Sequence, residues 1–135
     1  MNSASNPRRH SRIRSDHATE LAEDYVEAIA EIGAAKEVCR AVDLAKQFGV
    51  SHVTVNKTIG RLVRDGFVET EPYGPVVLTP KGDKLAREAK ARHETVYEFL
   101  VALGVSPKTA QIDSEGIEHH VSQETLKAMQ AFLKK

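Results

Sequence analysis

The chain has 135 residues, of which 41% are apolar and 28% charged, the balance of one folded unit or two small ones. Basic and acidic residues both number 19, so no strong net charge identifies a partner, and the single cysteine, Cys39, excludes an internal disulfide and a cysteine-based zinc cluster. No stretch approaches the roughly 18 apolar residues of a membrane helix and no signal peptide is recognisable, so we expect a cytoplasmic protein with no membrane partner.

Residues 1–16 are polar, contain four arginines and have no apolar periodicity, so we predict a flexible basic arm. From His17 to about residue 32, apolar side chains recur at steps of three and four, which indicates an amphipathic helix that ends near Gly33. Asp24 and Glu27 are three residues apart and therefore lie beside each other on this helix.

Residues 40–66 have the pattern of two short helices around a tight turn. Gly49 can take the left-handed conformation that ends the first helix, and Ser51 is placed to cap the second. The second helix is expected to bury one side and to expose polar and basic residues on the other. This is the helix-turn-helix pattern, whose second helix lies in the major groove of DNA. The expected buried side consists of Val55, Ile59, Leu62 and Val63.

Two short strands are predicted at residues 67–71 and 76–78, with a turn at residues 72–75 between them. Thr79 then caps a helix that has Pro80 at its first position. A plain helical domain would lack this hairpin, whereas a helix-turn-helix, a hairpin and a capped helix follow one another in a winged helix. We therefore predict a winged helix-turn-helix DNA-binding domain over residues 17–80.

The polar residues of this module have the chemistry of a DNA contact. An asparagine can donate to and accept from a base edge, and lysine or arginine can reach guanine or phosphate. Hydroxyl groups and amides at a helix N-terminus suit phosphate. The predicted double-stranded DNA contacts are Ser51, His52, Thr54, Asn56, Lys57, Arg61 and, on the wing, Tyr73.

Residues 81–135 are predicted to be a second, helical domain. A long helix continues from Pro80 to about Leu103, and Gly104 ends it. Further helices are expected from Ser106-Pro107, from near Asp113 or Ser114, and from Ser122. The fold class is therefore mainly α with a small β-wing, in which a winged helix-turn-helix precedes a helical region.

Glu115, Glu118 and His119 are expected on one face of one helix in this second domain. Taken alone, such a face is better explained by solvation than by a bound cation, and His93 alone is better explained as a hydrogen-bonded side chain than as a metal ligand. His120 is turned about 100° away and is expected to pack or to donate a hydrogen bond. No HExxH zinc-protease motif is present.

Several motifs nevertheless occur together in one order. They are Asp24-Tyr-Val-Glu27, the helix-turn-helix, Leu78-Thr-Pro-Lys-Gly82, Arg92-His93-Glu94, and Glu115-Gly-Ile-Glu-His-His120. With this order, residues 17–135 resemble the manganese transport regulators, a branch of the diphtheria-toxin-repressor family. The resemblance implies a homodimeric repressor of metal-uptake genes whose helical region serves metal binding and dimerisation.

The resemblance also implies the metal ligands, which are Asp24, Glu27, His93, Glu115, Glu118 and His119. Four carboxylates and two imidazoles suit Mn(II) or Fe(II), and the Met and Cys donors typical of the iron-sensing branch are absent at Asp24 and Glu115. Mn(II) is the expected effector, with two ions per subunit as in similar proteins, and Fe(II) is the alternative.

Two rival functions are distinguishable by experiment. A metal-independent winged-helix regulator with a small-molecule pocket would bind DNA equally well under chelation. A metal-dependent hydrolase would show turnover with Mn(II) and no operator preference, and we expect no enzymatic activity.

Overall fold

A computed structural model of the chain describes residues 7–135, with side-chain surroundings from residue 18 onward. Over this range the fold is mainly helical with one small antiparallel sheet, which confirms the predicted fold class. No helix in the described part of the chain is both long and apolar enough to cross a membrane. The elements are α1 Pro7–Lys36, α2 Ala41–Phe48, α3 His52–Arg64, β1 Val68–Thr70, β2 Val76–Leu78, α4 Pro80–Ala102, α5 Pro107–Ile117 and α6 Gln123–Leu133.

The chain divides into two compact units. One comprises Ala22–Arg87, and the other comprises the described residues up to Leu21 together with Glu88–Lys135. We call them the winged-helix unit and the C-terminal unit. Both boundaries fall inside helices, because α1 and α4 each contribute residues to both units.

Helix α1 begins earlier than the sequence predicts. Residues 7–16, predicted as part of a flexible arm, belong to α1, and residues 1–6 of that arm lie outside the described residues. The reason is local: Pro7 suits the first turn of a helix, arginine is a good helix former, and extending an existing helix costs less than nucleating one. The helix also passes Gly33 and ends at Lys36, where Glu37 takes a positive φ of 71°.

The winged-helix unit has an apolar core between α1, α2 and α3. Tyr25 and Phe48 stack with ring centroids 4.5 Å apart and an interplanar angle of 10°. Leu44 and Val55 are completely buried. Val63, predicted on the buried side of α3, is 43% exposed because it lies at the edge of that face.

Local capping fixes the helix-turn-helix as predicted. Gly49 ends α2 with a φ of 65°, and the Ser51 hydroxyl accepts a hydrogen bond from the Thr54 amide at 3.2 Å. The start of α2 is held by Asp43, whose carboxylate accepts from the Lys36 ammonium at 2.8 Å and from the Arg40 amide at 2.9 Å. These two hydrogen bonds, that of Lys36 first, lower the pKa of the Asp43 carboxyl.

The wing is a two-stranded hairpin in which Val68 pairs with Leu78 and Thr70 with Val76. It is tied to the chain before α2, because the Val76 amide donates to the Cys39 carbonyl oxygen at 2.8 Å. Burial, with a smaller contribution from Asp43, raises the pKa of the Cys39 thiol to about 11, so it stays protonated at neutral pH.

The C-terminal unit contains the end of α4 with α5 and α6. Phe99 and Phe132 meet edge to face at 5.3 Å, and Val96 and Ala110 are completely buried. The sequence predicts separate helices from Ser106 and from about Asp113, but the structure has one helix, α5. Ser114 begins no helix because its hydroxyl donates to the Gln111 carbonyl oxygen inside α5, at 3.2 Å.

Candidate metal centre and nucleic-acid interface

Helix α3 presents a polar face to solvent. Its predicted DNA contacts are exposed, whereas Thr58 is buried and donates a hydrogen bond from its hydroxyl to the Thr54 carbonyl oxygen at 3.1 Å. The exposed face combines hydroxyl, amide and cationic groups, which are the groups that contact phosphates and base edges. The predicted contacts found exposed are Ser51, His52, Thr54, Asn56, Lys57 and Arg61.

Sequence reasoning missed Val53 on the same helix. It is 77% exposed, whereas Val55, two residues later, is completely buried. An exposed apolar side chain in the first turn of this helix suits the methyl group of thymine. The sequence could have indicated this exposure, because Val53 does not belong to the set of α3 residues, beginning at Val55, that are predicted to be buried.

The wing tip is Tyr73, whose side chain is fully exposed and whose φ is 61°. A positive φ is unfavourable for a tyrosine, so neighbouring contacts must hold the turn. The Arg40 guanidinium donates to the Tyr73 carbonyl oxygen at 3.3 Å and provides one such contact. Tyr73 therefore projects into solvent from a fixed turn.

The C-terminal unit brings together three of the predicted metal ligands. Glu118 caps the C-terminus of α5 and its side chain is 3% exposed. Its Oε1 lies 3.4 Å from Nδ1 of His93 and 3.8 Å from Nε2 of His119. The side chains of the two histidines are 16% and 1% exposed. A buried carboxylate flanked by two imidazoles results.

The other three predicted ligands are less buried than Glu118. Glu115 is exposed on α5, one turn before Glu118. Asp24 and Glu27 are half-buried on the part of α1 that belongs to the winged-helix unit. The role of all six as one ligand set stays a prediction.

Glu20 and His120 adjoin the triad and were not among the predicted ligands. A Glu20 carboxylate oxygen lies 3.4 Å from Nε2 of His120, so the His120 ring has a polar neighbour outside the predicted ligand set. Glu20 also places an oxygen within 4.8 Å of a ring nitrogen of His119. Its position one turn before Asp24 on α1 was a signal that the sequence offered.

The donor types fit a hard to borderline divalent cation. Carboxylate oxygen and imidazole nitrogen are ligands that Mn(II) and Fe(II) accept, whereas a soft thiolate would favour other metals. Cys39 offers no such thiolate, because its raised pKa keeps the thiol protonated. A cation would also offset the cost of burying the Glu118 carboxylate.

Comparison with protein families accounts for most of the chain. Residues 17–76 match the family described as "Iron dependent repressor, N-terminal DNA binding domain". Residues 79–135 match the one described as "Iron dependent repressor, metal binding and dimerisation domain".

Similar proteins include two bacterial regulators and a solved structure. "Transcriptional regulator MntR" of Salmonella typhimurium is 49% identical over 121 residues, which are 90% of this chain and 77% of that protein. The regulator of the same name from Escherichia coli O6:H1 is 46% identical over 92% of this chain and 80% of its own length. A structure described as "Manganese-dependent transcriptional repressor complex with manganese" is 30% identical, with a TM-score of 0.71 over 84% of this chain. This chain spans about half of that solved chain, 52%.

Proposed function

This chain belongs to the iron-dependent (diphtheria-toxin) repressor family, as an MntR-like, metal-dependent DNA-binding regulator, and we propose that Mn(II) is the metal that controls it. The observation that carries the proposal is the buried Glu118 carboxylate between two imidazole rings. Fe(II) has similar ligand preferences, so the selectivity for Mn(II) must come from geometry and coordination number.

The proposed ligands of Mn(II) are the six residues that the family resemblance implies. His93, Glu118 and His119 form the core of the site, and Glu115 is one turn away on α5. Asp24 and Glu27 supply two further carboxylates from α1. Six side chains with bridging carboxylates have enough donors for two ions per subunit, and we propose that number.

The ligands suggest how metal controls DNA binding. Without a cation, four carboxylates in one site repel one another. With a cation, residues of α1, α4 and α5 bind the same ion, so the metal-bound form favours one arrangement of the chain. We propose that this arrangement is the one competent to bind DNA, with a coupling of about 1–3 kcal/mol, the usual range for such linkage.

The proposed DNA contact is the exposed face of α3 in the major groove, with Tyr73 of the wing against the backbone or minor groove. In a homodimer, two copies of α3 would read two half-sites about one helical turn apart. We propose that the metal-bound dimer acts in the cytoplasm and represses genes for metal uptake. A repressor that binds DNA only with its metal lowers the expression of uptake genes when that metal is plentiful.

The test is a DNA titration followed by fluorescence anisotropy at fixed ionic strength, since phosphate contacts make affinity strongly salt-dependent. The labelled DNA is a manganese-transporter promoter, with a scrambled duplex as control. We expect tight binding with Mn(II), and its loss on chelation and in Glu118→Gln. A promoter bound equally well with and without metal would identify the metal-independent regulator instead.

A further inference from the structure

The His93 ring has a polar neighbour at each of its nitrogens. Nδ1 faces Glu118 Oε1 at 3.4 Å, and Nε2 lies 3.1 Å from the side-chain amide nitrogen of Gln111. Gln111 lies in α5 and Glu118 caps the C-terminus of this helix, seven residues or two helical turns later and therefore on the same face. Gln111 is not one of the six proposed ligands.

We propose that Gln111 is a positioning residue that holds the His93 ring so that Nδ1 is the nitrogen presented to the metal. The inference rests on the proposed metal site. A histidine that binds a metal usually has its other ring nitrogen engaged by a hydrogen bond, which fixes both the tautomer and the ring orientation. Gln111 is the side chain that contacts this other nitrogen here.

A glutamine suits this position because its amide can serve His93 in two states. An amide nitrogen only donates, so Nε2 accepts the hydrogen bond and the neutral ring carries its proton on Nδ1, toward Glu118. When Nδ1 is a ligand, the ring proton lies on Nε2 instead. Half a turn about the last side-chain bond of Gln111 then presents the amide oxygen as the acceptor, and this torsion is soft.

Calorimetric titration of the full chain with Mn(II) tests the proposal. Gln111→Leu keeps the approximate size and removes both polar groups, so we expect Mn(II) to bind about 10–100-fold more weakly, the range typical of outer-shell partners. Gln111→Glu keeps an acceptor for Nε2–H and should restore affinity to within about threefold of the wild type. Equal weakening in both variants, or wild-type affinity in Gln111→Leu, would overturn the proposal.

Two matched controls separate other causes. Gln130→Leu makes the same change at an exposed site on α6, and Lys108→Gln makes the same charge change as Gln111→Glu on α5 itself. We expect both to bind Mn(II) as the wild type does. Gln111→Glu is expected to bind Mn(II) more tightly than Gln111→Leu. If Lys108→Gln raises Mn(II) affinity over the wild type by that same factor, charge alone explains the rescue and the proposal is overturned.

A His93→Ala variant distinguishes an incorrect role for Gln111 from an incorrect assignment of the metal ligands. If His93→Ala loses Mn(II) binding while Gln111→Leu keeps it, Gln111 alone is misassigned. If His93→Ala binds normally, both assignments are overturned. Nitrogen-15 NMR of the metal-free imidazole provides a second measurement: the proton should lie on Nδ1 in the wild type and redistribute in Gln111→Leu, and an unchanged tautomer would contradict the positioning role.

Discussion

The Glu118 carboxylate is buried, and its replacement by the neutral glutamine tests whether this carboxylate binds the metal. Glu118→Gln keeps the volume but removes the charge and one of the two acceptor oxygens, so we expect Mn(II) affinity to fall by more than about a hundredfold, beyond the range of outer-shell partners. The metal-free variant should remain folded, because the substitution preserves the volume of the side chain. Calorimetry and thermal unfolding measure the two effects.

The control for this charge change is Glu124→Gln, which removes an exposed carboxylate in the first turn of α6. We expect it to leave Mn(II) affinity unchanged. A Glu118→Gln protein that binds Mn(II) like this control would remove Glu118 from the ligand set.

Asn56 and Lys57 are adjacent on α3, and their chemistry predicts different losses. Asn56→Ala should cost about 1–3 kcal/mol on the operator and reduce the preference for it, as expected of a base contact. Lys57→Ala should weaken operator and scrambled duplex alike and lower the slope of log affinity against log salt by about one. Anisotropy titrations on both duplexes at several salt concentrations measure this, and identical behaviour of the two variants would contradict these roles.

The family resemblance, rather than residue type or spacing, implied the triad as ligands, and its polar neighbours came only from the structure. Taken alone, His93, Glu118 and His119 did not require a metal, although imidazoles and carboxylates are metal donors. Gln111 is 18 residues from His93 and on another helix, so its contact depends on how α5 packs against α4. No local pattern encodes that distance. The same reason applies to the contact between Glu20 and His120, which are 100 residues apart in the chain.

At the level of elements, capping residues predicted the ends of helices better than apolar periodicity did. Gly49, Ser51 and Ser106 act as the sequence indicated, because each of these signals lies within a few residues of the bond it makes. The start of α1 was missed because residues 7–16 have no apolar face, and helix there depends on propagation from the following turns. The break predicted near Ser114 was wrong because a serine can also bond within its own helix.

The first turn of α4 has room only for a glycine at position 82. A Cβ at this position would overlap the Phe67 carbonyl oxygen, and the Gly82 amide donates to the Thr79 hydroxyl at 3.1 Å. Gly82→Ala should therefore lower the free energy of unfolding by about 1–3 kcal/mol, since backbone must move to admit the methyl group. Urea unfolding followed by circular dichroism measures it.

Gly60→Ala is the matched control, because a Cβ there meets nothing within 4 Å and the residue lies inside α3. That variant should be more stable by up to about 1 kcal/mol, the difference in helix propensity. Equal stability of the two alanine variants would contradict the close packing at Gly82.

Helix α5 has an apolar outer surface that suits a second copy of the chain. Ile112 is 63% exposed and Ile117 37%, beside a groove of about 590 Å³ that both line. Because this region matches a metal-binding and dimerisation domain, we propose that a second copy of the chain covers the groove. Ile112→Arg should weaken the dimer, because burying an unpaired charge there is costly.

Light scattering across a concentration series measures the dimer mass. Val77→Arg places the same charge on an exposed valine of β2 in the winged-helix unit and should leave the dimer intact. A fully dimeric Ile112→Arg protein would place the dimer interface elsewhere.

For the whole molecule, the decisive property is the linkage of metal to DNA. The two units share α1 and α4, and the proposed ligands come from both units. In the mechanism that we propose, metal and DNA need not be in contact, because the metal would favour the arrangement of the chain that binds DNA. The sequence could not predict the size of this effect, since it depends on the energies of two arrangements of the same chain.

Linkage makes a prediction that neither unit alone could satisfy. If Mn(II) raises operator affinity by some factor, a saturating operator must raise Mn(II) affinity by the same factor, expected to be about 5–150-fold. We would measure Mn(II) binding by calorimetry with and without operator, and operator binding by anisotropy with and without Mn(II), all at one salt concentration. Scrambled duplex controls for electrostatic attraction of the cation to DNA. Unequal factors would mean that Mn(II) also acts outside the protein, and a factor of one in both directions would leave a metal site that does not control DNA binding.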